Sequence, residues 1–475
     1  MTKTTLTLVN IWKIENHTPH FGLTALAAYI KNKFPKLNIK IVEGLDPLND
    51  IIKTKADIIG FTSDTLTFKK TKTIATKVKN ILKVPILIGG VHITAMPKSF
   101  SSPFNVGIIG EGEITLLELI ELFLKDKKFN PEKLKNINGL IFKINKSIIK
   151  TLPRKLMKNI DELPFPAREL TPMEDVYLKN QFNLFNSKRM VSIMTSRGCP
   201  YHCVFCGSPV QWGMARFHSP EYVIREIKFL LKTYRIDGIM FWDDLFIAPI
   251  ERLKKLKDLI VKEKLNKKLV FFGYARANLI TEDVCKILAE MNTKRLIFGL
   301  ESGSPKILGY LKQYSVTVED NKRAVDLCRK HGITSSSGYI VGTPGETIED
   351  LQCTYNLMKN HPLDNTQIYI LTPYPGTKIW EESKKEKIVS DNMDFDKLFV
   401  QLPTLSLLDF FTSSKNIIKN RIFLNTQYKN NKNYMKLILK IQKLALIQNT
   451  LFYTKIIPQN IDLLKRLIIH KFKCL

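Results

Sequence analysis

Short apolar runs, each closed by small or turn-forming residues and separated by amphipathic stretches, constrain this chain more than any other feature. In the first part these runs are TLTLVNI, NIKIVEG, ADIIGFTS, VPILIGG and NVGIIGEGE, which read as strands. Between them GLTALAAYIKNKF, FKKTKTIATKVKNIL and ITLLELIELFLK carry helical periodicity. Near-continuous apolar strands alternating with helices predict a parallel sheet covered on both faces. The expected unit is a doubly wound, flavodoxin-like (Rossmann-like) α/β domain over residues 1–130. Such sheets bind ligands beyond the carboxyl ends of their strands. That places Asn10, Ser63, Asp64, Thr65, Gly89, Gly90, Gly110 and Glu111 along one rim.

Residues 131–187 break the alternation. GLIFKINKSIIKTL reads as a hairpin and DELPFPARELTP as an extended, proline-rich stretch, together a linker wrapped over the next domain. From Met190 the alternation resumes with MVSIMTS, GIMFWDD, LVFFGYAR, RLIFGLES, TSSSGYIVGTPGE and NTQIYILTPYPGT. About six βα units predict a partial (β/α)6 barrel over 188–405. Chemistry in such barrels sits where strands end, which gathers Asp243, Asp244, Arg276, Glu301, Ser302, Gly342 and Thr343 at one end. Residues 406–475 carry no sheet signal and read as a small helical extension. From Phe411 to Leu475 there are 13 Lys or Arg and one acid, Asp462.

Composition narrows the classes. A length of 475 residues exceeds one ordinary domain, and seven cysteines exclude a disulfide scaffold. There is no signal-peptide pattern and no uncharged apolar run near the roughly 20 residues that span a bilayer, so a reducing cytoplasm is expected. The net charge of +29 invites nucleic acid, but the lysines are spread through every segment, as on solvated faces. Nucleic acid is therefore not the expected partner. The basic, amphipathic C-terminal segment is compatible with weak contact to an anionic membrane.

The first barrel strand runs straight into RGCPYHCVFC at 197–206, which holds Cys199, His202, Cys203 and Cys206. Zinc would need a tetrahedral wrap by eight consecutive residues, with His202 and Cys203 adjacent. A thioredoxin-like pair would use Cys203 and Cys206 and leave Cys199 without a role. An iron–sulfur cluster uses all three thiolates; a four-iron cluster would keep one iron for His202 or for a substrate or cofactor. Cys285, Cys328 and Cys353 fall in helical patterns and are expected to be buried small hydrophobes. Cys474 is a tail residue.

The spacing of Cys199, Cys203 and Cys206, with Phe205 before the last cysteine, resembles the signature loop of the radical S-adenosylmethionine (radical SAM) superfamily. The form GCPYHCVFC is similar to that of its cobalamin-associated branch, which includes the anaerobic magnesium-protoporphyrin monomethyl ester cyclases and class B methyltransferases. FWDDLF, FGLESGS, GYIVGTPGET at 338–347 and TPYPGT at 372–377 follow in that branch's order. GFTSDT, IGGVHIT and IGEGE resemble the cobalamin-binding domain fused ahead of its core. The resemblance covers roughly residues 5–400. It implies an enzyme with a [4Fe-4S] cluster on Cys199, Cys203 and Cys206 that reductively cleaves S-adenosylmethionine to methionine and a 5′-deoxyadenosyl radical.

The resemblance also implies roles for single residues. Phe205 would pack beside cluster and adenine, and Asp243 or Asp244 would accept from the methionine ammonium. Arg276 would pair with the methionine carboxylate, and Glu301 and Ser302 would hold ribose or methionine groups. Ser63, Thr65, Gly89, Gly90, Gly110 and Glu111 would border cobalamin. A small-molecule substrate and a reductant such as flavodoxin or ferredoxin are the implied partners. Two departures stand out. No Asp-x-His-x-x-Gly motif is present, and His17, His20 and His92 lie outside any such pattern, so either any cobalamin is held without a protein histidine on cobalt or the domain has lost the cofactor. Relatives carry a lysine near Gln313, so an S-adenosylmethionine contact is expected to be weaker there. Methyl transfer and a cyclisation or rearrangement both remain open. The alternatives are a radical SAM tRNA methylthiotransferase, disfavoured because residues 1–198 lack cysteine, and a non-catalytic corrinoid- or lipid-binding protein.

Overall fold

The structure is a computed structural model and describes residues 4–11, 18–178, 185, 187–398, 401–402 and 424–456. Strands β1 (Thr5–Ile11), β2 (Asn38–Gly44), β3 (Ile58–Thr62), β4 (Ile86–Gly89) and β5 (Val106–Ile108) pair in parallel in the order 2-1-3-4-5. Successive side chains point to opposite faces, so Leu6 and Leu8 serve one core and Val9 and Ile11 the other. Helices Phe21–Lys33 and Glu113–Asp126 cover the first face with Ala27, Ile30, Leu119 and Ile120. Helix Phe68–Leu82 covers the second with Ile74, Ala75 and Val78. This is the expected doubly wound domain. The hairpin of β6 (Leu140–Ile144) and β7 (Ser147–Lys150) is also present, but it pairs antiparallel onto β5 and extends this first sheet instead of lying over the second.

The second sheet contains β8 (Met190–Ile193), β11 (Gly238–Phe241), β12 (Val270–Ala275), β13 (Thr293–Glu301), β14 (Thr334–Val341) and β15 (Asn365–Ile370), all parallel and adjacent in chain order. A short β16 (Gln401–Leu402) runs antiparallel on β15, and β9 (Ser196–Arg197) pairs with β10 (Arg216–Phe217) beside the sheet. Six parallel strands match the expected partial barrel. Its helices start where the sequence signals. Ser219 Oγ accepts from Tyr222 N at 3.1 Å, capping Pro220–Tyr234. Thr347 and Asp350 form a reciprocal capping box on Ile348–Asn360.

The proline-rich linker ties the two domains together. Ala167 N donates to Thr24 O at 3.0 Å on the first domain. Beside it, the buried Arg168 donates to Glu226 Oε1 at 2.8 Å and to Ser192 O at 3.2 Å in the barrel. The C-terminal helix Lys432–Ile456 lies against Ile348–Asn360 and β15. Tyr434, Leu437, Ile438, Ile441 and Ala445 join the barrel core, while the Asn449 side chain bonds both N–H and C=O of Thr366. These side chains are thus covered by protein, while Ile447 and Leu451 of the same helix are exposed. No helix among the described residues is long and apolar enough to cross a membrane. Residues 457–475, with the rest of the basic segment and Cys474, lie outside the described residues.

Candidate active site

The cysteine loop is fastened at its middle. Val204 is buried with Ile307, Leu311, Ile340 and Ile379. Its N–H donates to Leu311 O at 3.1 Å, and its carbonyl accepts from Ile379 N at 3.0 Å. This holds Cys199, Cys203 and Cys206 as free, half-buried thiols on either side. Burial pushes the Cys199 thiol up and the Cys206 thiol up to about 11, so they ionise when metal replaces the proton. Ser208 N donates to Cys206 Sγ at 3.4 Å, and Arg276 Nη1 to Cys203 Sγ at 3.3 Å. Among the described residues no three His, Cys, Asp or Glu side chains converge on one point. A cluster that offers each thiolate a different iron has no such requirement. The free, half-buried cysteine set therefore fits an iron–sulfur cluster. His202 is exposed.

Around the loop the expected contacts divide. Arg276 lies over the Tyr201 ring at 3.8 Å, donates to Ser315 Oγ at 2.5 Å, and keeps a buried Nε without a partner. Asp244 accepts from Ser208 Oγ at 2.6 Å and borders the main cavity. Asp243 instead accepts from Thr195 N at 2.6 Å, Thr195 Oγ1 at 2.5 Å and Ser196 N at 2.8 Å, bracing the strand end that leads to the loop. Burial pushes its carboxyl up, against those bonds. Ser302 bonds Thr354 Oγ1 and Ser304 N and is fully buried. Asp243 and Ser302 are therefore committed to protein partners.

Glu301 has φ +60, in the left-handed region, where the β13–β14 register shifts. A non-glycine residue there carries strain of the kind that clusters at functional sites. Its Oε1 accepts from Lys312 Nζ at 2.7 Å, both side chains being buried. A Cβ on Gly299 would come within 2.2 Å of Glu301 Oε1, so glycine there makes room for the pair. Lys312 also sits 5.5 Å from the Phe205 ring centroid. Lys312, next to Gln313, is thus engaged by Glu301.

The rim of the first sheet forms the other side of the site. Gly90, at φ +98, is packed so tightly that a Cβ would lie 2.7 Å from Ser63 O. Gly110 faces open space, with nothing within 4 Å of a Cβ. Both glycines, with Gly89 and Ser63, line a cavity of about 810 Å3 that also touches Gly207, Ser208, Trp212, Trp242 and Asp244 of the barrel. The open cradle at Gly110 fits a large, flat cofactor lying between rim and cysteine loop. Thr65 instead bonds His92 Nδ1 at 3.2 Å. Glu111 accepts from Arg216 and lies 3.4 Å from Arg197, which also meets Glu113 at 2.5 Å. Glu111 therefore braces the domain interface. His92 is buried between Phe68 and Phe395. His20 lines the cavity, His17 lies outside the described residues, and Cys353 is exposed while Cys285 and Cys328 are buried, a correction for Cys353.

Comparisons with known proteins carry the same division. Residues 193–358 match the model of the radical SAM superfamily, and residues 7–120 match the B12 binding domain. An uncharacterized methyltransferase of Pyrococcus horikoshii is 34% identical over 376 residues, covering 76% of this chain and 78% of that protein. The chain belongs to the radical SAM superfamily, in its cobalamin-binding branch. The two matched domains imply a [4Fe-4S] cluster, S-adenosylmethionine and cobalamin. The anaerobic magnesium-protoporphyrin IX monomethyl ester cyclase of Rubrivivax gelatinosus is 24% identical over 421 residues, covering 83% of this chain and 72% of the cyclase. The solved cobalamin-dependent S-adenosylmethionine radical enzyme OxsB shares the fold, with TM-score 0.68, 18% identity, and 95% and 72% of the two chains covered. This radical SAM protein is thus an enzyme of the methyltransferase or cyclase kind. Nothing favours the tRNA methylthiotransferase alternative.

Proposed function

We propose that the chain transfers a methyl group from S-adenosylmethionine to a small-molecule substrate by way of a corrinoid. One observation carries this reading: a single cavity is bordered both by the glycine rim and by the segment that comes after the cysteine loop. The name of the relative in Pyrococcus horikoshii agrees with it. Bound there, the cluster would supply one-electron cleavage of S-adenosylmethionine and the corrinoid a methyl carrier. Cys199, Cys203 and Cys206 would hold the cluster, and Phe205 would pack beside it. Arg276, donating to Cys203 Sγ, would draw charge from that sulfur and so raise the potential of a bound cluster. Asp244 presents a carboxylate for the methionine ammonium of S-adenosylmethionine, a charge-assisted contact. Lys312 holds Glu301 at the strand end, where ribose or methionine groups are recognised. Ser63, Gly89, Gly90 and Gly110 leave the first-domain rim free of bulky side chains, and Leu8, Leu87 and Ile108 exclude water beneath it. A cytoplasmic setting with a flavodoxin or ferredoxin as electron donor completes the proposal.

Anaerobic reconstitution with S-adenosylmethionine labelled in its methyl group tests it. The label is expected to pass to a corrinoid added as hydroxocobalamin. 5′-Deoxyadenosine formation is expected to stop in Cys199→Ala, Cys203→Ala and Cys206→Ala. Deoxyadenosine formed without any passage of label would favour ring closure or rearrangement instead, and product from the cysteine variants would refute the cluster assignment.

A further inference from the structure

The wall that linker and barrel add to the cavity carries a carboxylate–histidine pair outside the residues matched to the B12 binding domain. Asp161 Oδ1 accepts from Ser219 N at 3.0 Å and lies 3.0 Å from His218 Nδ1. Burial opposes its ionisation, but the bonds from Ser219 and His218 hold the Asp161 carboxyl below the usual range. The His218 ring lies flat on Tyr222, with centroids 3.9 Å apart and planes 10° from parallel. Burial pushes the pKa of His218 down to about 4, so the ring is neutral near pH 7. An ionised carboxylate can only accept, which puts the ring proton on Nδ1 and the lone pair on Nε2. Nε2 has no protein partner and is not sealed in protein.

The other described histidines nearby differ. His20 lines the same cavity, but its Nδ1 accepts from Leu23 N at 3.2 Å, so a neutral ring carries its proton on Nε2 and can only donate there. His92 does not line the cavity, and its Nε2 is buried without a partner. His218 Nε2 is therefore an acceptor on this wall that awaits a donor. A corrin carries carboxamide groups around its rim, and each amide nitrogen has two N–H donors. A carboxylate or phosphate has no such donor to give.

We propose that His218 is a cobalamin-binding residue whose Nε2 accepts from a carboxamide N–H at the corrin rim, and that Asp161 is the positioning residue that fixes its tautomer. This rests on the cobalamin reading above. Hydroxocobalamin affinity of the full chain, with iron content as the check on folding, tests it by equilibrium dialysis. His218→Phe keeps the ring on Tyr222 and removes the lone pair; it is expected to weaken binding about tenfold. His218→Gln restores an acceptor and is expected to stay within about threefold of the parent. Asp161→Ala should weaken binding, while Asp161→Asn, which still accepts from Nδ1–H, should not. Parent-like affinity in His218→Phe overturns the inference. So does a three-line nitrogen splitting in the Co(II) electron paramagnetic resonance of the parent that vanishes in His218→Phe, because it would make His218 a cobalt ligand. Failure of the parent itself to bind hydroxocobalamin refutes the cobalamin reading, and the inference with it.

Discussion

Replacing Glu346 by glutamine is expected to stabilise the protein at pH 8 and leave it nearly unchanged at pH 5. Glu346 is 0% exposed, within GYIVGTPGET. Its Oε2 accepts from Gly342 N at 2.8 Å and from the Tyr434 hydroxyl of the C-terminal helix, while Oε1 is buried without a partner. Burial pushes the carboxyl from 4.5 up to about 7. A folded pKa above the unfolded one means that the native state binds more protons between those values. Stability is then fully present below pH 4.5 and falls as pH rises to 7. A shift of that size corresponds to about 3 kcal/mol lost by pH 8. Glutamine keeps an acceptor for Gly342 N and Tyr434 and has no charge to bury. Urea midpoints of parent and Glu346→Gln at pH 5, 6, 7 and 8 measure the difference, in which all other titrating groups cancel. The gap should open across pH 5 to 7 and reach about 3 kcal/mol in favour of the variant. A constant gap, or a less stable variant at pH 8, would refute the argument.

Three further outcomes come from the same geometry. Lys312→Met strands the buried Glu301 carboxylate and should cost about 3–5 kcal/mol in urea unfolding, much of it recovered by adding Glu301→Gln. Burial pushes His92 down to about 4, so its stabilising neutrality is lost as pH falls below 6.5. His92→Phe should then lose less stability between pH 6.5 and 4, by up to about 3 kcal/mol. Arg276→Met removes a donor from Cys203 Sγ and should lower the cluster potential in a spectroscopic redox titration, with iron content unchanged; an unshifted potential would show that the contact does not reach the cluster.

The sheet architecture was legible because burial on both faces writes itself as apolar runs, each closed by small or turn-forming residues. The cysteine loop was legible for the same reason, its three ligands lying within one short stretch. What escaped reading is non-local. The hairpin pattern of LIFKI and SIIK does not say which sheet it joins, since pairing with β5 is decided by packing. Lys312 ends a helix and looks like a solvent lysine until Glu301, on another element, meets it. Asp161 and His218 are ordinary linker and loop residues in sequence. Asp243 and Glu111 read as free carboxylates, whereas backbone N–H groups and arginines had already claimed them. The exposure of Cys353 could have been read, because Leu351, Thr354, Leu357 and Met358 mark the buried stripe of its helix without it.

The two backbone bonds that hold Val204 come from Leu311 and Ile379, far downstream of the cysteines they steady. During synthesis the three thiols leave the ribosome well before either brace exists. The loop takes its final form only once the chain through Ile379 has emerged and the barrel has closed on it. Cluster insertion is thereby ordered in time: a truncated or stalled chain exposes cysteines without the shape that would let them keep a cluster.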